Sequence, residues 1–165
     1  KQLGKYELID QKHAAKYFGN LEYIDQNRIG IQGWSYGGYI SSLAITKGAD
    51  IFKLAIAVAP VTNWRFYDNI YTERYMQKPE NNSSGYDDNS PINYVDKLKG
   101  KYLLIHGSAD DNVHIQNTYE MTSALVKANK QFDLFIYPDK NHSIYGENSR
   151  YHLYNMMTNF ITDNL

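Results

Sequence analysis

The chain contains no cysteine, so it can form no disulfide and use no thiol nucleophile. For the same reason, cysteine usage does not indicate whether the protein works in an oxidising or a reducing compartment. The chain also has no excess of positive or negative charge, because its 17 Lys and Arg nearly balance its 18 Asp and Glu. We therefore expect no nucleic-acid partner. No apolar run approaches the roughly 20 residues of a membrane-spanning helix. These absences favour one globular domain over the 165 residues, long enough to bury a sizeable core.

Strand-like and helix-like segments alternate along the chain. Continuous apolar runs such as Leu54–Ala59 are typical of strands that are buried on both faces. The pattern predicts strands at 28–34, 54–59, 101–106 and 132–137, and helices at about 7–18, 36–47, 114–128 and 149–163. This order predicts a parallel α/β sheet with crossover helices. The stretch 60–100 reads as irregular, with a polar surface loop around 79–85.

One motif indicates a catalytic serine. Residues 33–39 read GWSYGGY, which contains Gly-x-Ser-x-Gly between the predicted strand 28–34 and the predicted helix 36–47. That setting is typical of a nucleophile elbow, a sharp strand-to-helix turn that exposes the serine hydroxyl. The free N–H groups at the helix start would lie beside it, and the backbone N–H of Tyr36 is the expected oxyanion donor. The alternative is a structural glycine-rich turn. We interpret Ser35 as a nucleophile.

Polar residues follow the last two predicted strands, where ligands gather in parallel α/β sheets. One loop carries His106, Asp110 and Asp111, and the other carries His142. A serine nucleophile needs a histidine base that a carboxylate holds in one tautomer. The order Ser, Asp, His is that of α/β-hydrolases. We assign His142 as the base, since His106 lies on the loop that already offers the acid. Either aspartate can be the acid, and the other is then expected to cap the following helix.

The other histidines do not suggest a site. His13, His114 and His152 fall on predicted helices, where they read as surface or core residues. No cluster of histidine and acidic residues has metal-ligand spacing, so we expect no metal and no cofactor.

Four segments together resemble the dipeptidyl peptidase IV branch of the prolyl oligopeptidase family. They are GWSYGGY at 33–39, IAVAPV at 56–61, YTERYM at 71–76 and YLLIHGSADDNVH at 102–114. The resemblance covers nearly the whole chain. It implies an α/β-hydrolase fold and a serine exopeptidase that releases dipeptides, or in some relatives tripeptides, after proline or alanine. It implies Ser35 as nucleophile and His142 as base, and it selects Asp110 as the acid.

The resemblance also bears on an aromatic segment. Trp64, Tyr67 and Tyr71 have helical spacing, and from the residues alone a core stripe is the favoured interpretation. By resemblance these positions line a pocket for the proline ring, and Asn112 binds a substrate carbonyl, although asparagine is also a common turn residue. The substrate-binding residues implied in this way are Tyr36, Val61, Trp64, Tyr67, Tyr71, Asn112 and Val113.

Several expectations concern what lies outside this segment. By resemblance, a β-propeller and the first half of the hydrolase domain precede it, so residues 1–165 would be the C-terminal part of the catalytic domain. A peptide substrate with proline or alanine beside the scissile bond, a homodimer, and an exported location (periplasm, cell surface or secreted) are expected on the same basis. The alternatives are a small-molecule esterase of the same fold and a non-catalytic fragment that acts as an association module.

Overall fold

The computed structural model describes all residues from Lys1 to Leu165. One parallel sheet in the order β1-β2-β3-β4 forms the centre of the molecule. Its strands are β1 (Gly30–Trp34), β2 (Leu54–Val58), β3 (Lys101–Gly107) and β4 (Asp133–Tyr137). The helices are α1 (Lys5–Gly19), α2 (Tyr36–Ile45), α3 (Asn69–Met76), α4 (Ser83–Asp87), α5 (Gln116–Lys127) and α6 (Ser149–Asn164). The predicted parallel α/β arrangement is therefore observed. No helix has the length and apolar character to cross a membrane.

The two central strands divide the core into two layers. Successive side chains of a strand point to opposite faces, and every residue of β2 is buried. Ala55 and Ala57 pack with α1, α2 and α5, whereas Leu54 and Ile56 pack with α6. The sheet therefore has helices on both faces, as a buried parallel sheet requires.

Strand β1 lies at one edge of the sheet and is only partly covered. It pairs with β2 alone, and four of its five residues are half-buried while Gln32 is exposed. The strand that leads to Ser35 consequently leaves one side of its backbone unpaired.

The prediction of an irregular segment over 60–100 is wrong in part. Besides α3 and α4, this segment forms 3₁₀ helices at Trp64–Phe66, Pro79–Asn81 and Pro91–Lys97. Asp68 caps α3 by accepting the N–H of Tyr71 at 2.9 Å, and proline opens two of the 3₁₀ helices. Met76 and Tyr86 are buried in the core. These short helices escaped prediction because none is long enough to show a clear apolar period.

Candidate active site

Ser35 occupies the sharp turn between β1 and α2. Its φ of 58° and ψ of −116° lie in a region that non-glycine residues rarely adopt. Two hydrogen bonds hold this backbone: Ser35 N–H donates to the carbonyl of Val58 at 2.8 Å, and Tyr39 N–H donates to the carbonyl of Ser35 at 2.9 Å. A Cβ atom on Gly33 would overlap the backbone of Gly37. The glycines of the motif therefore allow the turn to close.

The start of α2 lies directly after the serine. Tyr36 is the first residue of this helix, so its backbone N–H is among those without an intrahelical partner. Such N–H groups and the positive end of the helix dipole favour a negative charge beside the serine. The structure thus places the predicted oxyanion donor next to the predicted nucleophile.

Asp110 is the carboxylate that faces His142. Its Oδ2 accepts a hydrogen bond from His142 Nδ1 at 2.7 Å, and its Oδ1 accepts the backbone N–H groups of Asn112 and Val113, both at 2.9 Å. Asp111 is exposed and its side chain makes no hydrogen bond within the chain. The expectation that the second aspartate caps the next helix is wrong, because Ile115 occupies that position without a side-chain cap.

The environment of Asp110 keeps its carboxyl group ionised. Burial is the largest single influence and raises the pKa of Asp110. Hydrogen bonds from His106, His142 and the backbone of Asn112 outweigh burial and hold this pKa well below its ordinary value. An ionised carboxylate accepts the Nδ1 proton of His142, which leaves the Nε2 atom of that ring free to accept a proton.

The loops that carry the acid and the base are joined by their backbones. Ser108 N–H donates to the carbonyl of Tyr137 at 2.9 Å, and Ala109 N–H donates to that of Lys140 at 3.0 Å. A Cβ atom on Gly107 would overlap the carbonyl of Lys140, so glycine at the end of β3 permits this close approach.

A residue next to Ser35 also fixes the backbone of His142. The indole Nε1–H of Trp34, the residue before Ser35, donates to the carbonyl oxygen of His142 at 2.9 Å. No hydrogen bond joins the Ser35 hydroxyl to the His142 ring in this structure. Such contacts are often long in unliganded enzymes and shorten when substrate binds. The three predicted residues thus lie at the carboxyl end of the sheet, where a hydrogen bond joins Asp110 to His142.

The three predicted pocket aromatics meet, but not on one helix. Trp64 belongs to a 3₁₀ helix, Tyr71 belongs to α3, and Tyr67 lies between them in extended backbone. Trp64 stacks on Tyr71 with ring centroids 5.8 Å apart, and Tyr67 meets Trp64 edge-on at 5.8 Å. Tyr36 joins this cluster at 5.6 Å from Trp64. The prediction of one helical face is therefore wrong, although the rings form one cluster with Tyr36, the residue after Ser35.

Burial divides the predicted pocket residues into two groups. Trp64, Val61 and Val113 are core residues, with at most 2 % of their surface exposed. Tyr36, Tyr67 and Tyr71 are half-buried, and Asn112 is exposed. Trp64 is therefore a core residue, as the spacing alone suggested, whereas the three tyrosines provide the accessible surface of the cluster.

The side-chain amide of Asn112 uses its oxygen, but not its nitrogen, in a hydrogen bond within the chain. Its Oδ1 accepts a hydrogen bond from the Tyr67 hydroxyl at 2.7 Å. Its Nδ2 makes no hydrogen bond within the chain, so it can donate to a ligand carbonyl.

One cavity of the chain lies away from this site. It has a volume of about 370 Å³, and residues before β1 and β2, among them Ile29 and Lys53, line it at the opposite end of the sheet. No group of three or more His, Cys, Asp or Glu side chains is arranged to hold a metal ion.

Three comparisons relate the chain to known proteins. The model of the prolyl oligopeptidase family matches residues 1–165. The chain is 46% identical over 165 residues to a probable dipeptidyl-aminopeptidase B of Aspergillus terreus, which covers 98% of this chain and 18% of that protein. It is 42% identical over 164 residues to dipeptidyl peptidase 4 of Bos taurus, with 98% and 21% covered.

A solved structure shows the same fold. The crystal structure of Porphyromonas gingivalis dipeptidyl peptidase 4 matches with a TM-score of 0.97 and 55% identity, over 99% of this chain and 23% of that one. The match confirms the predicted α/β-hydrolase fold. The chain spans about a fifth of the length of these relatives.

Proposed function

Because the chain belongs to the prolyl oligopeptidase family, as its motifs predicted, we propose that it carries the catalytic groups of a dipeptidyl peptidase IV-like serine peptidase. The observation that carries this proposal is the 2.7 Å hydrogen bond from His142 Nδ1 to Asp110, at the sheet end where Ser35 occupies its strained turn. Nucleophile, base and acid are Ser35, His142 and Asp110.

The proposed reaction is acyl transfer through a covalent intermediate. His142 Nε2 accepts the proton of the Ser35 hydroxyl as its oxygen attacks the scissile carbonyl, and Asp110 stabilises the resulting imidazolium. The backbone N–H of Tyr36 donates to the oxyanion of the tetrahedral intermediate. His142 then protonates the leaving amine, the C–N bond breaks, and a water molecule hydrolyses the acyl-enzyme by the same route.

The aromatic cluster supports proline or alanine beside the scissile bond. The half-buried rings of Tyr36, Tyr67 and Tyr71 present apolar surface next to the nucleophile. A proline ring or a methyl group buries its apolar area there without leaving polar groups unpaired. The free Nδ2 of Asn112 would donate to a substrate carbonyl.

The same proposal assigns this segment to a longer polypeptide, since its relatives are about five times its length. Release of N-terminal dipeptides requires groups that bind a free amine, and we place them in a preceding propeller and hydrolase segment. A homodimer and an exported location belong to the proposal by resemblance alone.

Turnover by the complete gene product that contains these residues tests the proposal. Glycyl-prolyl-p-nitroanilide should be cleaved, its N-acetylated counterpart should not, and Ser35→Ala should abolish the activity. Cleavage of p-nitrophenyl acetate without cleavage of the dipeptide substrate would indicate an esterase instead. Absence of turnover on every substrate would favour a non-catalytic association module.

A further inference from the structure

A second histidine shares the carboxylate oxygen that holds the proposed base. Asp110 Oδ2 contacts His142 Nδ1 at 2.7 Å and His106 Nε2 at 3.1 Å. His106 belongs to β3 and has no exposed surface, so no substrate can reach it. The reaction described above gives His106 no part.

The remaining contacts of His106 fix its proton on Nε2. This atom also lies 2.8 Å from the carbonyl oxygen of Val113, and a carbonyl and a carboxylate can only accept. Nε2 must therefore carry a hydrogen, which it shares between Val113 and Asp110. Nδ1 lies 2.7 Å from the hydroxyl of Thr118, which donates to it when the ring is neutral. The ring thus spans from α5 to the proposed catalytic acid.

We propose that His106 is a positioning residue that orients the Asp110 carboxylate and limits how strongly its Oδ2 holds the proton of His142. This inference depends on the proposed function, because it assigns Asp110 to the acid of the triad. His106 touches neither substrate nor reacting atoms, and it acts only through Asp110.

The proposed effect follows from sharing one oxygen. A donated hydrogen bond withdraws negative charge from Oδ2, so less remains to stabilise the protonated ring of His142. The titratable groups that face Asp110 are His106 on β3, His142 in the loop after β4, and Tyr67 ahead of α3. Of these, only His106 and His142 donate to Oδ2. Loss of the His106 donor therefore leaves the full charge of Oδ2 to His142.

Two substitutions of His106 distinguish the effect of its hydrogen bond to Asp110 from the effect of removing the imidazole ring. His106→Gln places an amide nitrogen close to the position of Nε2 and can still donate to Asp110. His106→Asn is one methylene shorter, so its amide can reach Thr118 but not Asp110. His114→Gln serves as a control, because His114 is exposed, lies between β3 and α5, and makes no contact with Asp110.

The test is the pH dependence of kcat/KM for glycyl-prolyl-p-nitroanilide, measured with the complete protein. In His106→Asn, the midpoint of the acidic limb should move up by about 0.5–1 pH unit. Its kcat should fall by roughly tenfold, the rate equivalent of one net hydrogen bond, because the Asp110 carboxylate also loses the donor that orients it, and KM should stay unchanged. His106→Gln and His114→Gln should keep the wild-type midpoint and a kcat within about twofold of wild type.

The pH profiles of these variants support or overturn the proposed role of His106. Equal pH profiles for the Gln and Asn variants would overturn it, and so would a Gln variant that fails to fold, since the role of His106 would then be structural. A wild-type midpoint in the Gln variant together with a raised midpoint in the Asn variant supports it. If the Asn variant does not fold, His106→Met, which fills much of the ring volume without a donor, replaces it and must show the same upward shift. A wild-type protein without activity toward the substrate would instead refute the proposed function.

Discussion

The indole N–H of Trp34 donates to the carbonyl oxygen of His142 at 2.9 Å, across 108 positions of the chain. Arg150 holds the same loop from α6: its guanidinium lies 5.6 Å from the Trp34 ring and donates two hydrogen bonds to the carbonyl of Ser143. The residue before the proposed nucleophile and the first turn of α6 therefore fix the backbone of the proposed base.

Replacing Trp34 by phenylalanine tests this positioning. The substitution keeps an aromatic ring for Arg150 but removes the N–H donor, so the His142 carbonyl loses its partner. We expect kcat of the complete protein to fall by roughly tenfold, with a smaller change in KM, because substrate binding does not use this bond. Steady-state kinetics measure both constants. An unchanged kcat would show that the loop is held without Trp34.

The two neighbouring aspartates give a matched pair of substitutions. Asp110→Asn should lower kcat by about 10⁴-fold, because the amide cannot hold His142 in the required tautomer. Asp111→Asn is the control and should leave kcat nearly unchanged, since Asp111 is exposed and contacts neither histidine. Ser35→Ala should lower kcat by about a million-fold. Comparable losses from both aspartate variants would contradict the assignment of the acid.

Tyr67 combines an apolar contact with a polar one. Tyr67→Ala should weaken transition-state binding of a proline substrate by about 1–3 kcal/mol, with a smaller effect on hydrolysis of a simple ester. Tyr67→Phe keeps the ring and removes the hydroxyl that binds Asn112, so it separates the two contributions. Values of kcat/KM for both substrates measure the effect. Equal losses on both substrates would show that the cluster is not a proline pocket.

Local signals were sufficient to predict the main elements, since each strand and long helix has its own apolar pattern. The elbow was also predictable, because all of its special residues lie within 33–39. The bond between Trp34 and His142 was not, since nothing in either segment indicates that they meet. Asp110 could be preferred to Asp111 as the acid only by resemblance, because adjacent aspartates carry the same local signal.

Ionisation of Asp110 should contribute to stability in a defined pH range. Its folded pKa lies below the unfolded value of about 3.9, so the carboxylate stabilises the fold above about pH 4. That contribution is lost as the pH falls from the unfolded pKa toward the folded one. The midpoint of thermal unfolding should therefore be higher for wild type than for Asp110→Asn at about pH 5, and the difference should shrink below about pH 4. A difference that grows on acidification would contradict this account.

The unpaired edge of β1 should make the 165-residue chain associate when it is produced alone. Exposed strand edges pair with strands of other molecules, and charged side chains on the edge oppose this pairing. Light scattering should detect oligomers, and Gln32→Lys should reduce their amount, because Gln32 is the exposed residue of β1. By resemblance, a second oxyanion donor lies in the preceding hydrolase segment. This chain should therefore also be a poor catalyst, since loss of one oxyanion donor alone costs about 10²–10³ in rate. A stable monomer with the activity of the complete protein would contradict both expectations.

The most direct test of the central claim is to identify the residue that a fluorophosphonate modifies in the complete protein. Mass spectrometry of the labelled peptides should find the adduct on Ser35 in the wild type. The adduct should be absent in Ser35→Ala and greatly slowed in Asp110→Asn, with Asp111→Asn labelled at the wild-type rate. Labelling of a different serine, or a Ser35 that does not react while the protein is folded, would contradict the assignment of Ser35, Asp110 and His142 as a catalytic triad.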